Sequence, residues 1–122
     1  MPAADFQHLR LSMVKDVAVV EIRTRDLQGP MLARELSAEL ALVTAQEWAR
    51  RLLVNFRRVT YVSSTGFAAL FKLVSRARAE GREVKLCGMG NGVRLGAEII
   101  GLQKLVEIHD DEAAALRTFA RA

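Results

Sequence analysis

Cysteine and long apolar runs are scarce in this chain of 122 residues. The single cysteine, Cys87, excludes a disulfide within the chain, and no Cys and His residues cluster at the spacing of metal ligands, so we expect neither a metal nor a cofactor. No stretch has the apolar length of a membrane span, and the N-terminus lacks the basic and apolar regions of a signal peptide. These absences favour a soluble protein of a reducing, cytoplasmic compartment.

Aromatic residues are also few, with Tyr61 and Trp48 as the only tyrosine and tryptophan. The formal net charge is +4, from 18 basic and 14 acidic residues. The basic side chains form small groups near the ends of different predicted elements, and they supply neither a continuous basic stripe nor a base-stacking platform. We expect no direct contact with nucleic acid, and the same charges would suit solvation or an acidic protein partner.

What the chain has in quantity is apolar sequence. Apolar residues make up 51% of it and charged residues 26%, a balance typical of a globular protein. No repeat, linker or low-complexity segment divides the chain, so we interpret residues 1–122 as one domain.

The spacing of the apolar residues predicts an alternation of strands and helices. A hairpin of strands 8–14 and 17–22 comes first, and a polar link at 24–28 leads to a helix at 31–48. Strand 52–56 is almost continuously apolar, which is typical of a central strand buried on both faces. The remaining elements are a helix between the hydroxyl run and Gly81, a strand at 84–87, a third helix ending at Gly101, a strand at 105–108 and a last helix from Asp110 through Phe119.

This order predicts an α/β fold with a single mixed β-sheet of about five strands and about four helices packed against it. The later strands should be parallel and joined by right-handed crossovers. The second helix should pack on the sheet through one stripe of Phe67, Leu70, Phe71, Val74 and Ala77, and the spacing of Val93, Ala97 and Ile100 predicts the short third helix.

Three consecutive hydroxyl residues, Ser63, Ser64 and Thr65, stand before Gly66 where the second helix should begin. Hydroxyls at such a point lie beside unpaired backbone N–H groups and the positive end of the helix dipole, where a phosphate can be held or attached. The same residues can also serve only as helix caps, each contributing about 1 kcal/mol. From the residues alone, capping is the favoured interpretation.

A glycine-rich segment at 88–92 precedes the third helix. It lacks the Lys-Ser/Thr ending of a P-loop and the full spacing of a dinucleotide-binding loop. We therefore expect a flexible turn, in which an exposed Met89 offers an adaptable apolar contact to a partner.

Several of these segments, in their order and spacing, resemble the STAS domain of bacterial anti-sigma-factor antagonists. The similarity is strongest over residues 52–116. The segments that carry it are Leu52-Leu53-Val54-Asn55-Phe56, Tyr61-Val62-Ser63-Ser64-Thr65-Gly66-Phe67-Ala68-Ala69-Leu70, the Gly81 turn with Val84-Lys85-Leu86-Cys87-Gly88, Ile100-Gly101-Leu102-Gln103-Lys104-Leu105 and Asp110-Asp111-Glu112-Ala113-Ala114.

The resemblance implies regulation by partner switching. In that family the unphosphorylated domain binds an anti-sigma factor that is also a serine kinase, phosphorylation of a serine ends the complex, and a phosphatase restores it. The family motif Asp-Ser-Ser/Thr-Gly implies Ser64 as the phosphate acceptor, ahead of Thr65 and Ser63. Together with Gly66 and Met89, these residues form the expected partner interface.

The chain departs from the family motif at two positions. Ser63 stands where the motif has its Asp, and Asn55 stands where many members have an Asp at the end of the preceding strand. Asn55 is equally consistent with a hydrogen-bonded residue at a strand end.

Two other roles are consistent with the same residues. The chain can be a constitutive STAS scaffold or the STAS subunit of a lipid-transport ABC system, in which the hydroxyls only cap a helix. An enzyme is not expected, because no acid, base or metal constellation accompanies the hydroxyl run and His8 and His109 lie at opposite ends of the chain. We expect Cys87 to be a small core or half-buried residue and the chain to be a monomer or a weak dimer.

Overall fold

A five-stranded mixed sheet is the centre of the fold over residues 6–119, the part of the chain that the computed structural model describes. In chain order the strands are β1 (Leu9–Val14), β2 (Val17–Ile22), β3 (Asp26–Leu27), β4 (Arg51–Asn55), β5 (Tyr61–Val62), β6 (Glu83–Cys87) and β7 (Glu107–His109). The main sheet has the order β1-β2-β4-β6-β7, and β3 pairs with β5 in a separate two-stranded ladder. Strands β1 and β2 are antiparallel and all later pairs are parallel, which confirms the predicted mixed sheet.

Residues 6–119 form four α-helices, as the sequence predicts, of which three connect strands and the fourth follows β7. They are α1 (Pro30–Thr44), α2 (Ser64–Ala79), α3 (Asn91–Ile99) and α4 (Glu112–Phe119). Two short 3-10 turns, at Glu47–Ala49 and Leu102–Lys104, precede β4 and β7. None of the helices formed by residues 6–119 is long and apolar enough to cross a membrane.

Strand β4 lies in the middle of the sheet, as its apolar sequence predicts. Leu52 and Val54 face the larger core, while Leu53 between them faces the smaller core on the other side of the sheet. All three are fully buried, because successive side chains of a strand point to opposite faces and both faces are covered. The polar Asn55 ends the strand at its carboxyl end.

The helices divide unequally between the two faces of the sheet. The larger core takes the buried residues of α1, α2 and α3, among them Leu36, Leu70 and Val93. The smaller core takes α4 alone, through Ala115 and Phe119. Burying a side chain such as Leu70 stabilises the fold by about 1.5–3 kcal/mol, so the α1–α3 face carries most of the apolar stabilisation.

The larger differences from the prediction lie in four parts of the chain. The first helix ends at Thr44 rather than at Trp48, because Gln46 has an extended backbone that starts a separate 3-10 turn. The segment at 24–28 contains β3, which is too short to show a periodicity but buries Leu27 completely. The last strand begins at Glu107, since the turn at Leu102–Lys104 still holds Val106 through a backbone hydrogen bond.

The fourth difference concerns the glycine-rich segment. Helix α3 already begins at Asn91, so only the first part of the expected flexible turn at 88–92 is irregular. The predicted end of α2 is confirmed, since Gly81 has a φ of +77° and follows the last helical residue, Ala79, by two positions.

Candidate functional site

Ser63 is the N-cap of α2. Its backbone is extended, and its Oγ accepts a hydrogen bond from the Gly66 N–H at 3.2 Å. The same hydroxyl donates to the Leu27 carbonyl at 3.2 Å, and the Ser63 N–H donates to that carbonyl at 2.8 Å. Ser63 therefore anchors the start of α2 to β3, and its side chain is already engaged.

Gly66 brings the first turn of α2 close to β3. A Cβ at this position would lie 2.6 Å from the Leu27 carbonyl oxygen and 2.9 Å from Val62 Cγ1, both too short for any side chain. Gly66 is itself buried, so it contributes to the expected interface by positioning its neighbours rather than by offering surface.

Ser64 and Thr65 are both exposed, unlike Ser63. Within residues 6–119 neither hydroxyl has a hydrogen-bond partner, while the Ser63 hydroxyl has two. The backbone N–H groups of the first turn of a helix are unpaired and lie at the positive end of its dipole. Ser64 thus presents a free hydroxyl at a position that tolerates negative charge.

An open apolar groove begins beside Ser64 and runs between α2 and α3. Its volume is about 630 Å³. We call it the α2–α3 groove, and it is lined by Tyr61, Val62, Ser63, Ser64, Phe67, Ala68, Phe71, Lys72, Gly96, Ile99 and Ile100. Large apolar side chains stand open to solvent along it, with Ile99 75%, Tyr61 51% and Ile100 42% exposed. A patch of this kind on a small protein is typical of a binding surface.

Gly96 forms the closest point between the two walls of the groove. A Cβ on Gly96 would lie 2.8 Å from Phe67 Cε2 and 2.9 Å from Phe67 Cζ. Because Phe67 is buried and held in the core, the ring cannot easily move aside. The glycine therefore sets how near α3 approaches α2.

The groove contains Phe71, which the sequence placed on the stripe of α2 that packs on the sheet. Phe71 is 36% exposed, so that assignment is wrong, and Ile100, which the sequence placed in the third helix, is exposed further still. Phe71 follows the buried Leu70 at the edge of the apolar stripe of α2, and Ile100 stands just beyond the last residue of α3. The signal that could have found them is an apolar stripe wider than the sheet can cover.

Met89 is the opposite case. The sequence predicts an exposed Met89, but the side chain is only 8% exposed and belongs to the larger core. It lies between the end of β6 and the start of α3. The expectation of an exposed methionine is therefore wrong.

Asn55 is buried at the end of β4, and both polar atoms of its side chain are hydrogen-bonded. Its Oδ1 accepts from the Arg57 N–H at 2.8 Å, and its Nδ2 donates to Glu112 Oε1 at 3.0 Å. An Asp at this position would set a second carboxylate against Glu112. The pairing of Asn55 with Glu112 is thus a local reason for the amide at this strand end.

Cys87 ends β6 on the α4 face and is completely buried. Burial raises the pKa of its thiol to about 12, and the nearby Glu112 and Asp111 carboxylates contribute to the rise. The thiol stays neutral at physiological pH and is a poor nucleophile, which agrees with the predicted core role.

The two histidines are engaged away from the hydroxyl run. His8 contacts Thr24 Oγ1 at 2.6 Å and Glu35 Oε1 at 3.0 Å, and His109 contacts Glu107 Oε1 at 2.9 Å. Neither has Ser64 as a hydrogen-bond partner. Over residues 6–119 no group of three or more His, Cys, Asp or Glu side chains is arranged to hold a metal ion.

Helix α2 carries three basic residues and no acidic one. Arg78 donates to the Leu105 carbonyl at 2.6 Å, which ties it to the loop before β7. Lys72 lines the α2–α3 groove, and Arg76 follows it one turn later. Both are exposed, and neither makes an ion pair within the described part of the chain.

The fold and this site define a STAS domain. The family model of the STAS domain matches residues 20–115, and the chain therefore belongs to that family. A search of curated proteins found no match.

Solved structures share the fold at low sequence identity. A Thermotoga maritima protein provisionally assigned as an anti-sigma factor antagonist has a TM-score of 0.79 at 14% identity, over 95% of this chain and 97% of that one. SpoIIAA, a Bacillus cell fate determinant, has a TM-score of 0.68 at 16% identity in its unphosphorylated form, over 93% and 99%. Its phosphorylated form also matches, with a TM-score of 0.66. The STAS domain of a Vibrio cholerae SulP transporter has a TM-score of 0.67 at 19% identity, over 90% and 89%.

Proposed function

We propose that this protein is a cytoplasmic anti-sigma-factor antagonist that acts by partner switching, without catalytic activity of its own. It binds an anti-sigma factor that is also a serine kinase through the α2–α3 groove, and phosphorylation of Ser64 ends that complex. A serine phosphatase that removes the phosphate restores binding. The observation that carries the proposal is the position of Ser64, whose free and exposed hydroxyl lines an open apolar groove.

A phosphate at Ser64 would act through charge and desolvation. It adds about −1.5 to −2 charges, which the N-terminus of α2 tolerates while the phosphate stays in water. A partner seated in the apolar groove would cover this charge, and removing a dianion from water without a partner cation is costly. The modification is therefore compatible with the folded chain but opposes the complex.

The three hydroxyls differ in their suitability as acceptors. Ser63 is committed to the cap and to β3, so its modification would disturb the start of α2. Thr65 is exposed but does not line the groove, whereas Ser64 is exposed and also lines the groove. The existence of SpoIIAA in an unphosphorylated and a phosphorylated form supports this kind of switch for a protein of the same fold.

The test is to locate the phosphate. The chain is incubated with ATP and, one at a time, with the anti-sigma kinases encoded in its own genome, and phosphopeptides are identified by mass spectrometry. We expect phosphate on Ser64, none in Ser64→Ala, and unchanged incorporation in Ser75→Ala, a matched control at another exposed serine of α2. Full incorporation in Ser64→Ala would contradict the assignment.

A second candidate is a STAS domain that never switches, such as a scaffold or a transporter subunit. The observation in its favour is that Ser63 and Asn55, the two positions that depart from the family motif, both make structural hydrogen bonds. The Vibrio cholerae match also places this fold in a transporter. In that case none of the kinases transfers phosphate to the chain, and a stable partner binds Ser64→Asp as tightly as the unaltered chain.

A further inference from the structure

We infer that the occupant of the α2–α3 groove is a partner helix with aliphatic residues on one face and carboxylates along its edge. This inference rests on the proposed function for the choice of surface and adds the chemistry of the partner. Three considerations support it: the positive charge of α2, the apolar composition of the groove, and the proposed release of the partner by phosphorylation of Ser64.

The shape and lining of the groove suit a helix. Its walls are two helices, α2 and α3, and its exposed apolar residues come from both, with Phe71 on one side and Ile99 and Ile100 on the other. An amphipathic helix that lays its apolar face into such a groove uses side chains about one turn apart as anchors. The contact with Gly96 and Phe67 limits how deep these anchors reach.

The charge of the surface selects an acidic partner. Lys72 is the only Asp, Glu, Lys or Arg among the eleven residues of the described chain that line the groove. Arg76, one turn further along α2, lines the smaller cavity towards α1 rather than the groove, and α2 has no acid to neutralise Lys72 or Arg76. Complementary charge across an interface steers association and rejects partners of the same sign.

Two acids of neighbouring elements do not change this sign. Asp26 lies opposite Tyr61 in the β3–β5 ladder and accepts a hydrogen bond from Thr60 Oγ1 at 3.2 Å. Glu98 of α3 lies 3.7 Å from Arg94 Nε. Neither side chain lines the groove, so its edge on the α2 side remains positive.

The direction of the proposed switch agrees with the same partner charge, which adds repulsion to the cost of desolvating the phosphate. A phosphate at Ser64 repels a partner that carries carboxylates near the groove, whereas it would attract a basic partner. Phosphorylation therefore releases an acidic partner and would recruit a basic one. An acidic partner accounts for both release on Ser64 phosphorylation and attraction to the positive α2 surface.

The test uses two synthetic stapled helices of equal length with the same Leu and Ile stripe, one flanked by Glu and the other by Lys. Binding to the full chain is measured by amide NMR titration and calorimetry. We expect the Glu peptide to shift the amides of Phe71, Lys72 and Ile99 and to bind about tenfold or more tightly than the Lys peptide. Its affinity should fall as salt is raised.

Charge-reversed variants locate the effect. Lys72→Glu should weaken the Glu peptide about tenfold and strengthen the Lys peptide, while Arg117→Glu should change neither. Arg117 is a matched control because it is an exposed basic residue of α4, on the other face of the sheet. Equal affinity for both peptides, binding of neither, shifts confined to other elements, or the same loss in both variants would overturn the inference.

The inference and the proposed function fail separately. If no anti-sigma kinase binds the chain but the Glu peptide occupies the groove with the expected preference, the function is wrong and the surface chemistry stands. If a kinase binds the chain and phosphorylates Ser64, but its affinity depends neither on salt nor on the Lys72→Glu substitution, the proposed function is supported and the inference of an acidic partner helix is wrong.

Discussion

Helix α2 has a closed side and an open side. Towards α1 a cavity of about 70 Å³ is lined by small residues such as Ser37, Ala41 and Ala69, together with Lys72 and Arg76. Towards α3 the cavity is about 630 Å³ and is lined by exposed apolar residues. The apolar surface of α2 is buried on the first side and remains exposed on the second. This difference in exposure distinguishes a contact within the core from a surface that can bind a partner.

The largest difference between the two sides should appear when neighbouring residues of α2 are truncated. Leu70→Ala removes a fully buried side chain and should lower the free energy of unfolding by about 2–5 kcal/mol. Phe71→Ala should cost less than about 1 kcal/mol, because its ring is partly in water already, but should weaken partner binding about tenfold or more. Urea denaturation and calorimetric titration measure the two effects. Equal destabilisation by both changes would show that the open side is part of the core.

Substitutions of two glycines of α3 test how closely α3 approaches α2 on the open side. Gly96→Ala places a methyl group against the Phe67 ring and should lower the free energy of unfolding by about 1–2 kcal/mol. Gly92→Ala is the matched control, since a Cβ there meets nothing within 4 Å and should stabilise α3 by up to about 1 kcal/mol. Thermal unfolding of both variants gives the comparison. A stabilised Gly96→Ala would mean that α3 does not approach α2 as closely as described.

The opposite face of the sheet differs from the α2 side, because α4 is held there partly by the hydrogen bond between Asn55 and Glu112. Asn55→Asp sets a new carboxylate against Glu112 and should lower the free energy of unfolding by about 1–3 kcal/mol at neutral pH. The like charge of Glu112 raises the pKa of the introduced carboxyl in the folded state. The folded variant therefore binds more protons than the unfolded one, and its stability deficit grows as pH rises through the acidic range and shrinks on acidification. Urea unfolding as a function of pH checks the sign, and a pH-independent deficit would exclude the carboxylate contact.

The smallest expected effect is the difference in free energy of unfolding between alanine substitutions of the two serines at the start of α2. Ser63→Ala loses the cap and the bond to Leu27 and should cost about 1 kcal/mol. Ser64→Ala should change stability by less than about 0.5 kcal/mol, because its hydroxyl has no partner within residues 6–119. Chemical denaturation resolves the two values, and a reversed order would assign the cap to Ser64 and make Ser63 the free hydroxyl.

Much of the fold follows from the sequence because periodicity reports burial over several residues. The apolar run at Leu52 and Leu53 and the four-residue spacing of α1 are long enough to identify a central strand and a helix. Strand β3 could not be found in this way, since its two residues contain no period and are ordered by pairing with β5, far along the chain.

The site is less visible in the sequence than the fold. The hydroxyl run marks the start of α2, but which hydroxyl is free depends on the position of the Leu27 carbonyl, a contact made across 36 residues. The exposure of Phe71 and Ile99 depends on how far α3 stands from α2. Apolar spacing indicates that a face is buried against something, but it does not distinguish the chain's own sheet from a partner.

The most direct measurement of the central claim is the affinity of the partner kinase for the chain with and without phosphate on Ser64. Calorimetric titration of the two purified forms, with Ser75→Ala as the control, compares them under the same conditions. We predict that the phosphorylated chain binds about 100-fold more weakly while its free energy of unfolding stays the same. Equal or tighter binding by the phosphorylated form would contradict the account.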